Sequence, residues 1–153
     1  MDNILVYIAD YCFNYIWVYT NKQLVKIMKI TKLKEGLINV PKVPKESIIK
    51  RGLYTLAYKG KVFKVGIYGE GVKSNNKTRF SAYRSMGLNI KPGNGSYKTM
   101  KVINEKLNIG DEIQVTFIKL PEDRMLDGYK WKVDLYNEED ILKNKYKDTL
   151  WLN

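Results

Sequence analysis

Histidine is absent from this chain, cysteine occurs once and proline four times in 153 residues. Without histidine there is no imidazole general base, no Ser–His triad and no His-ligated metal site. The lone Cys12 excludes an internal disulfide and a cysteine-based zinc site. Any catalysis must therefore run on Tyr, Lys, Arg and carboxylates. Long apolar runs are also lacking. Residues 4–19 are mostly apolar, but Asp10 and Asn14 interrupt them, and the stretch is shorter than the ~20 residues a membrane span needs. It has no basic leading region, so it does not read as a signal peptide. The expectation is a cytoplasmic, intracellular protein with no membrane partner. Acidic residues are few: 16 Asp and Glu against 27 Lys and Arg leave a net charge of +11. Such an excess points to a polyanion, nucleic acid ahead of an anionic membrane surface. Lys, Asn, Ile and Tyr are all frequent, so AT-rich coding contributes to the basicity. A basic protein with no polyanionic partner is the plainer alternative.

The length fits one domain with a core of its own. The proline-punctuated VPKVPK (Val40–Lys45) divides the chain into an N-terminal extension, residues 1–50, and a core, residues 51–153. In the extension Ile4, Ile8, Tyr11, Tyr15 and Val18 fit a helical period almost as well as the stretch fits strand alternation, and a helix is expected first. A strand pair is expected across Thr20–Gln23 into LVKIMKI. The legible centre is Arg51–Tyr68, two strands joined at Lys59–Gly60. A three-residue loop, Lys59–Lys61, sets Leu53, Thr55 and Ala57 opposite Ile67, Val65 and Phe63 as the core-facing surface. Tyr54 and Lys64 then share the other face, whereas a two-residue loop slips the register and separates them. Next come a helix over Lys77–Met86, capped by Asn75 or Asn76 and stopped by Gly87, and one over Thr99–Leu107, with Met100, Ile103 and Leu107 inward. Glu112–Leu120 alternates as a strand, with Ile113, Val115 and Phe117 on one side. Pro121–Gly128 reads as a polar loop. A last helix is expected over Asn137–Lys147, with Asn137 as its cap and Ile141, Leu142 and Tyr146 inward. The fold class is α+β: a small three-stranded antiparallel sheet flanked by helices, with an N-terminal extension.

From Gly52 onward the chain resembles the GIY-YIG nuclease family. The resemblance rests on Gly52-Leu53-Tyr54, on Lys64-Val65-Gly66 with Lys where the family usually has Tyr, on Arg79 and Tyr83 at i,i+4, on Glu138 followed by Ile141-Leu142, and on the terminal Asn153. The literal Gly66-Ile67-Tyr68 lies at the end of the second strand and is read as a coincidence. A Lys at position 64 is similar to some restriction-enzyme members. The stretch from Gly95 to Ile118 looks like the phage endonuclease II and restriction branches.

Phosphodiester hydrolysis needs an activated water, neutralisation of the pentavalent phosphate and stabilisation of the leaving oxyanion. With no histidine, a Tyr phenolate is a candidate base, provided a cation lowers its pKa from ~10. By resemblance, Tyr54 is the base or water-positioner and Lys64 the cation that lowers its pKa and contacts the phosphate. Arg79 stabilises the transition state, and Tyr83 contacts phosphate or shares the base role. Glu138 holds one Mg²⁺, or Mn²⁺ in its place. Gly52, Gly66 and Asn153 are supporting residues. Lys73, Lys77, Arg84, Lys91, Lys98 and Lys101 are the candidate contacts to nucleic acid. Each has a structural alternative: an interfacial Tyr54, an edge-strand Lys64, a solvated Arg79, a core Tyr83, and a Glu138 placed for the helix dipole.

The resemblance implies a Mg²⁺-dependent endonuclease on double-stranded DNA. A homodimeric type II restriction enzyme comes first, because one active site cuts one strand. A phage-type degrading or nicking nuclease is the alternative. A non-catalytic DNA-binding module on the same fold is the rival from another class, and a third reading, an unrelated structural or interaction protein, is favoured if Tyr54, Arg79 and Glu138 lie far apart.

Overall fold

The computed structural model of the chain describes residues 24–71, 73–92 and 96–151. The helix expected over residues 4–19, the turn expected across Thr20–Gln23 and the supporting residue Asn153 lie outside them. In chain order the elements are β1 (Leu24–Lys34), β2 (Leu37–Asn39), β3 (Gly52–Tyr58), β4 (Lys61–Tyr68), α1 (Asn76–Leu88), α2 (Ser96–Lys106), β5 (Glu112–Lys119), β6 (Asp123–Leu126), β7 (Tyr129–Lys132) and α3 (Leu135–Lys145). Among the described residues no helix is long and apolar enough to cross a membrane.

The main sheet has five antiparallel strands in the order β2-β1-β5-β3-β4, not the expected three. The two extra strands come from the region read as an extension. β1 buries Met28, Ile30 and Lys32 and turns Lys29 and Leu33 outward, the period-2 pattern of a half-buried strand. It pairs with β5, setting Ile30 against Ile113. The proline-rich stretch does not stand apart either: Val40, Val43 and Ile49 are buried in the same core as Tyr54 and Phe117.

The β3–β4 hairpin combines both loop lengths considered for it. Its turn has two residues, Lys59 and Gly60, both at positive φ (48° and 76°), the type I′ geometry that matches strand twist. Tyr58 thus faces Lys61 and Ala57 faces Val62. A bulge then intervenes, and Leu56 faces Lys64, Thr55 faces Val65 and Leu53 faces Ile67. The extra residue, Phe63, restores the register that a three-residue loop would have set. It also moves Phe63 from the expected face to the Tyr54 face, where it is buried.

Helices cover both faces of this hairpin, so both are core. On one side Tyr54, Leu56, Phe63 and Tyr68 pack with Phe80 and Tyr83 of α1 and with Met100 and Ile103 of α2. On the other, Leu53 and Val65 pack with Leu120, Val133, and Leu135 and Leu142 of α3. The C-terminal segment closes the outer edge of β4. The Trp151 N–H donates to the Phe63 carbonyl at 3.0 Å, the Thr149 hydroxyl donates to the Val62 carbonyl at 2.5 Å, and the Trp151 ring stacks on Phe63.

Local chemistry sets the helix ends. The Asn75 side chain caps α1 in a reciprocal box with Thr78. Asn76 is buried and bridges the Ile49 N–H and the Ser47 carbonyl. Lys32, buried on β1, donates to the Asn104 and Leu107 carbonyls at the end of α2, where the helix dipole favours a cation. The last helix starts before its expected cap, because the Asp134 carboxylate accepts the Tyr136 and Asn137 N–H groups. Pro121–Gly128 is not all loop: β6 and β7 form a second hairpin across Asp127–Gly128, both at positive φ.

Gly87 does not stop α1 but lies inside it, against β2. A Cβ there would run into the Ile38 carbonyl oxygen and crowd Val40. Gly87→Ala is therefore expected to destabilise the fold by about 1–3 kcal/mol, since overpacking against fixed backbone outweighs the ~1 kcal/mol gain in helix propensity. Urea unfolding measures this, and an unchanged or raised midpoint would refute the close approach.

Candidate active site

Tyr54 lies in β3, between β4 and β5, and is wholly buried. Its ring occupies the space that a side chain at Gly66 would need: a Cβ built there collides with the ring and hydroxyl of Tyr54. Gly66 is directly opposite Tyr54 in the ladder, so the two residues fit as a pair. The Phe80 ring meets Tyr54 edge-on at 5.1 Å. Gly52 is also required without a side chain, since a Cβ would strike the Ile118 carbonyl, which accepts the Tyr68 hydroxyl at 2.9 Å.

The Tyr54 and Tyr83 hydroxyls are 2.7 Å apart. Tyr83 projects from α1 one turn after Arg79, whose guanidinium lies 5.6 Å from the Tyr83 ring centre. Three residues from two elements, β3 and α1, thus meet at one point: Tyr54, Arg79 and Tyr83. Arg79 is half-buried, and its Nε has no hydrogen-bond partner among the described residues.

Burial pushes the Tyr54 pKa well above that of a free phenol. The Tyr83 hydroxyl pushes the same way, and Arg79 opposes without prevailing. This corrects the expectation of a lowered Tyr54 pKa with Lys64 as its cause: the cation beside Tyr54 is Arg79. Burial alone disfavours the Arg79 charge, but Tyr54 and Tyr83 more than offset it, so its pKa rises. Past the bulge Lys64 does share the Tyr54 face, opposite Leu56, and it sits with Phe63, Thr99, Val102 and Trp151 on the α2 side.

Glu138 belongs to the other layer. It is buried on α3 between Leu135 and Leu142, which pack on the opposite face of the sheet. Its Oε1 accepts from Arg124 Nη1 at 2.6 Å. Its Oε2 is buried with no hydrogen-bond partner among the described residues. A carboxylate oxygen without a partner is the kind of ligand a hard cation takes, but here it is buried, and Arg124 already faces the other oxygen. Among the described residues no group of three or more acidic or cysteine side chains gathers into a cage.

An open cleft of about 570 Å³ lies at the open end of the β3–β4 hairpin. Gly69, Lys73, Ser74 and Asn75 form one wall, Glu122, Asp123, Lys132 and Val133 the other, with Lys50 and Arg51 between. Asn75 is one turn from Arg79, and Asp123 adjoins Arg124, so the elements that carry both sets of candidate groups border this cleft. Of the predicted nucleic-acid contacts, Lys73 lines it. Lys77, Lys91, Lys98 and Lys101 are exposed and Arg84 is half-buried; Lys101 lies 4.0 Å from Glu105. Sequence reasoning missed Lys50, Arg51, Arg124 and Lys132. The Asp127–Gly128 pair, a hairpin signature between MetLeu and TyrLys, was the available signal for the element bearing two of them.

No protein-family model matches the chain, and no curated protein does. Among solved structures the fold is similar to that of a glutamate-to-alanine mutant of bacteriophage T4 EndoII. The TM-score is 0.57 over 90% of this chain and 97% of that one, at 13% identity. At that identity the likeness is one of fold, and it is consistent with the GIY-YIG-like architecture that the sequence resemblance implies.

The raised Tyr54 pKa has a thermodynamic consequence. Above pH ~10 the unfolded chain releases this phenolic proton while the folded chain keeps it. The stability it contributes is therefore complete below that pH and falls as pH rises further. Tyr68 and Tyr146 are also raised by burial and act in the same direction. Tyr54→Phe is expected to flatten the alkaline decline in unfolding free energy between pH 9 and 11. Parallel urea titrations test this; identical slopes would mean that Tyr54 ionises normally in the folded protein.

Proposed function

We propose that the chain is a divalent-cation-dependent endonuclease that hydrolyses phosphodiester bonds of double-stranded DNA. The observation that carries this reading is the convergence of Tyr54, Arg79 and Tyr83. The family resemblance had singled them out from sequence, and the fold unites them within hydrogen-bond and cation–π range. The likeness of fold to phage EndoII and the net charge of +11 point the same way.

In this reading Arg79 stabilises the phosphate as negative charge builds in the transition state. Tyr54 and Tyr83 form a hydroxyl pair that orients the attacking water. Because Tyr54 is held neutral, it acts through its hydrogen bond to Tyr83 and not as a preformed phenolate. Lys64 neutralises charge on the DNA backbone. Glu138, through Oε2, is the residue that would hold Mg²⁺ or Mn²⁺, which supplies charge stabilisation at the phosphate and leaving oxygen. The products are a 5′-phosphate and a 3′-hydroxyl. Lys73, Lys77, Arg84, Lys91, Lys98 and Lys101 track the backbone, while residues 1–50 and the segments 68–78 and 88–98 select the target. Double-strand cutting calls for a homodimer, which favours a type II restriction enzyme over a homing nuclease, with a phage-type degrading or nicking nuclease as the close alternative. The action is intracellular.

Plasmid cleavage with Mg²⁺ tests the reading, with EDTA, Arg79→Ala and Glu138→Ala as controls. Each substitution is expected to lower the rate about 10²–10³-fold, the range for losing one transition-state contact. Discrete fragments indicate a restriction enzyme; nicks or a smear indicate the phage type. No cleavage, together with a salt-sensitive mobility shift on the same DNA, would leave a binding module and remove the nuclease.

A further inference from the structure

We propose that Arg124 governs access to the Glu138 carboxylate, as an internal cation that a divalent metal has to displace. The proposal rests on the reading of Glu138 as the metal ligand. Arg124 Nη1 and Glu138 Oε1 are 2.6 Å apart, with side chains only 9% and 7% exposed. A guanidinium in that position satisfies part of the negative charge a metal would use. Two cations on one carboxylate repel, and the repulsion is strong where water is excluded. Arg124 and the metal therefore compete for the carboxylate, whose Oε2 is buried and has no hydrogen-bond partner among the described residues.

The element carrying Arg124 is built to move. β6 and β7 pair only with each other, and all four residues of β7 are exposed. A lone two-stranded ribbon is marginal by itself, and this one presents Met125, Tyr129 and Trp131 to solvent. Its base, in contrast, is pinned. The Val133 N–H donates to the Glu122 carbonyl at 2.8 Å. Arg51 ties both ends together, donating to the Pro121 carbonyl at 2.8 Å and to the Val133 carbonyl. A ribbon fixed at its root and free at its tip can tilt without breaking the main sheet, and tilting draws Arg124 away from Glu138.

A polyanion is the natural trigger. Arg binds phosphate in a fork geometry, and Lys132 of the same ribbon already lines the neighbouring cleft. A DNA backbone in that cleft attracts the Arg124 guanidinium and leaves Glu138 to the metal. DNA and metal then bind with positive coupling, each raising the affinity of the other by the same factor.

The test is Mn²⁺ binding to the full chain, read as loss of the free-ion EPR signal. It needs no turnover. The proteins are the native chain, Arg124→Met, Arg124→Lys and Glu138→Gln, with and without a short DNA duplex. Arg124→Met is expected to bind Mn²⁺ at least tenfold more tightly than the native chain, and Arg124→Lys about as the native chain does. Glu138→Gln should abolish binding. The duplex should tighten Mn²⁺ binding to the native chain and leave Arg124→Met unchanged. A folded Arg124→Met whose Glu138-dependent affinity is no tighter than native would overturn the competition and leave Arg124 as a positioning residue. Should Arg124→Met fail to fold, the native chain decides: a duplex without effect on Mn²⁺ affinity overturns the proposal. Mn²⁺ binding that survives Glu138→Gln undamaged would instead overturn the assignment of Glu138 as metal ligand.

Discussion

The contact between the Tyr54 ring and the bare backbone of Gly66 organises the rest of this molecule. It demands a particular register between β3 and β4, because sliding by one residue would bring Val65 or Ile67 beneath the ring. The bulge at Phe63 supplies that register after a turn that by itself would have missed it. Once the ring is seated, its hydroxyl fixes where Tyr83 must come, and so where α1 must lie. The Asn75 cap, the bridging Asn76 amide and the close approach of Gly87 to β2 then hold α1 in that place. Gly66 and Gly87 let neighbouring groups approach the bare backbone, and Asn75 and Asn76 satisfy backbone groups by hydrogen bonds.

A second theme is how the fold uses its buried and half-buried cations. Lys32 serves carbonyls at the end of α2 and also meets Glu35 at 2.7 Å. Arg51 serves carbonyls at the root of the β6–β7 ribbon. Arg79 faces two phenols, and Arg124 a carboxylate. Burying a charge is costly unless its hydrogen bonds are met. Lys32 and Arg51 are well served and hold structure. Arg79 keeps an unused nitrogen, and Glu138 beside Arg124 keeps an unused oxygen. Incomplete satisfaction thus coincides with the groups on which the proposed chemistry depends.

Much of the core was legible in the residues. The alternation of Ile113, Val115 and Phe117, the spacing of Met100, Ile103 and Leu107, and the asparagine before α1 all describe local structure, and each appears as read. The Arg79–Tyr83 pair was legible through the family resemblance, and helical spacing puts i and i+4 on one face. What escaped was set by distant partners. The strand character of β1 was visible, but not that its neighbour would be β5, some eighty residues on. Gly87 looked like a stop because a helix-breaking residue usually is one; its real reason is the carbonyl of Ile38. The Tyr54 pKa was misjudged because burial on both sides of the hairpin cannot be seen from one strand. Arg124 drew no notice, since an arginine in a polar stretch signals nothing until Glu138 folds over it.

The C-terminal segment has a consequence for assembly. β4 is the outermost strand on its side of the sheet, and an unpaired outer strand is a ready template for another chain. Here Thr149 and Trp151 take up the carbonyls of Val62 and Phe63, and the Trp151 indole lies flat on the Phe63 ring. Those two carbonyls have already met their donors. The tail thereby acts as a short surrogate strand that denies this end of β4 to a neighbour. Two copies of the protein cannot continue the sheet through that end of β4, so a pairing of copies has to use another edge, such as β2, or another surface.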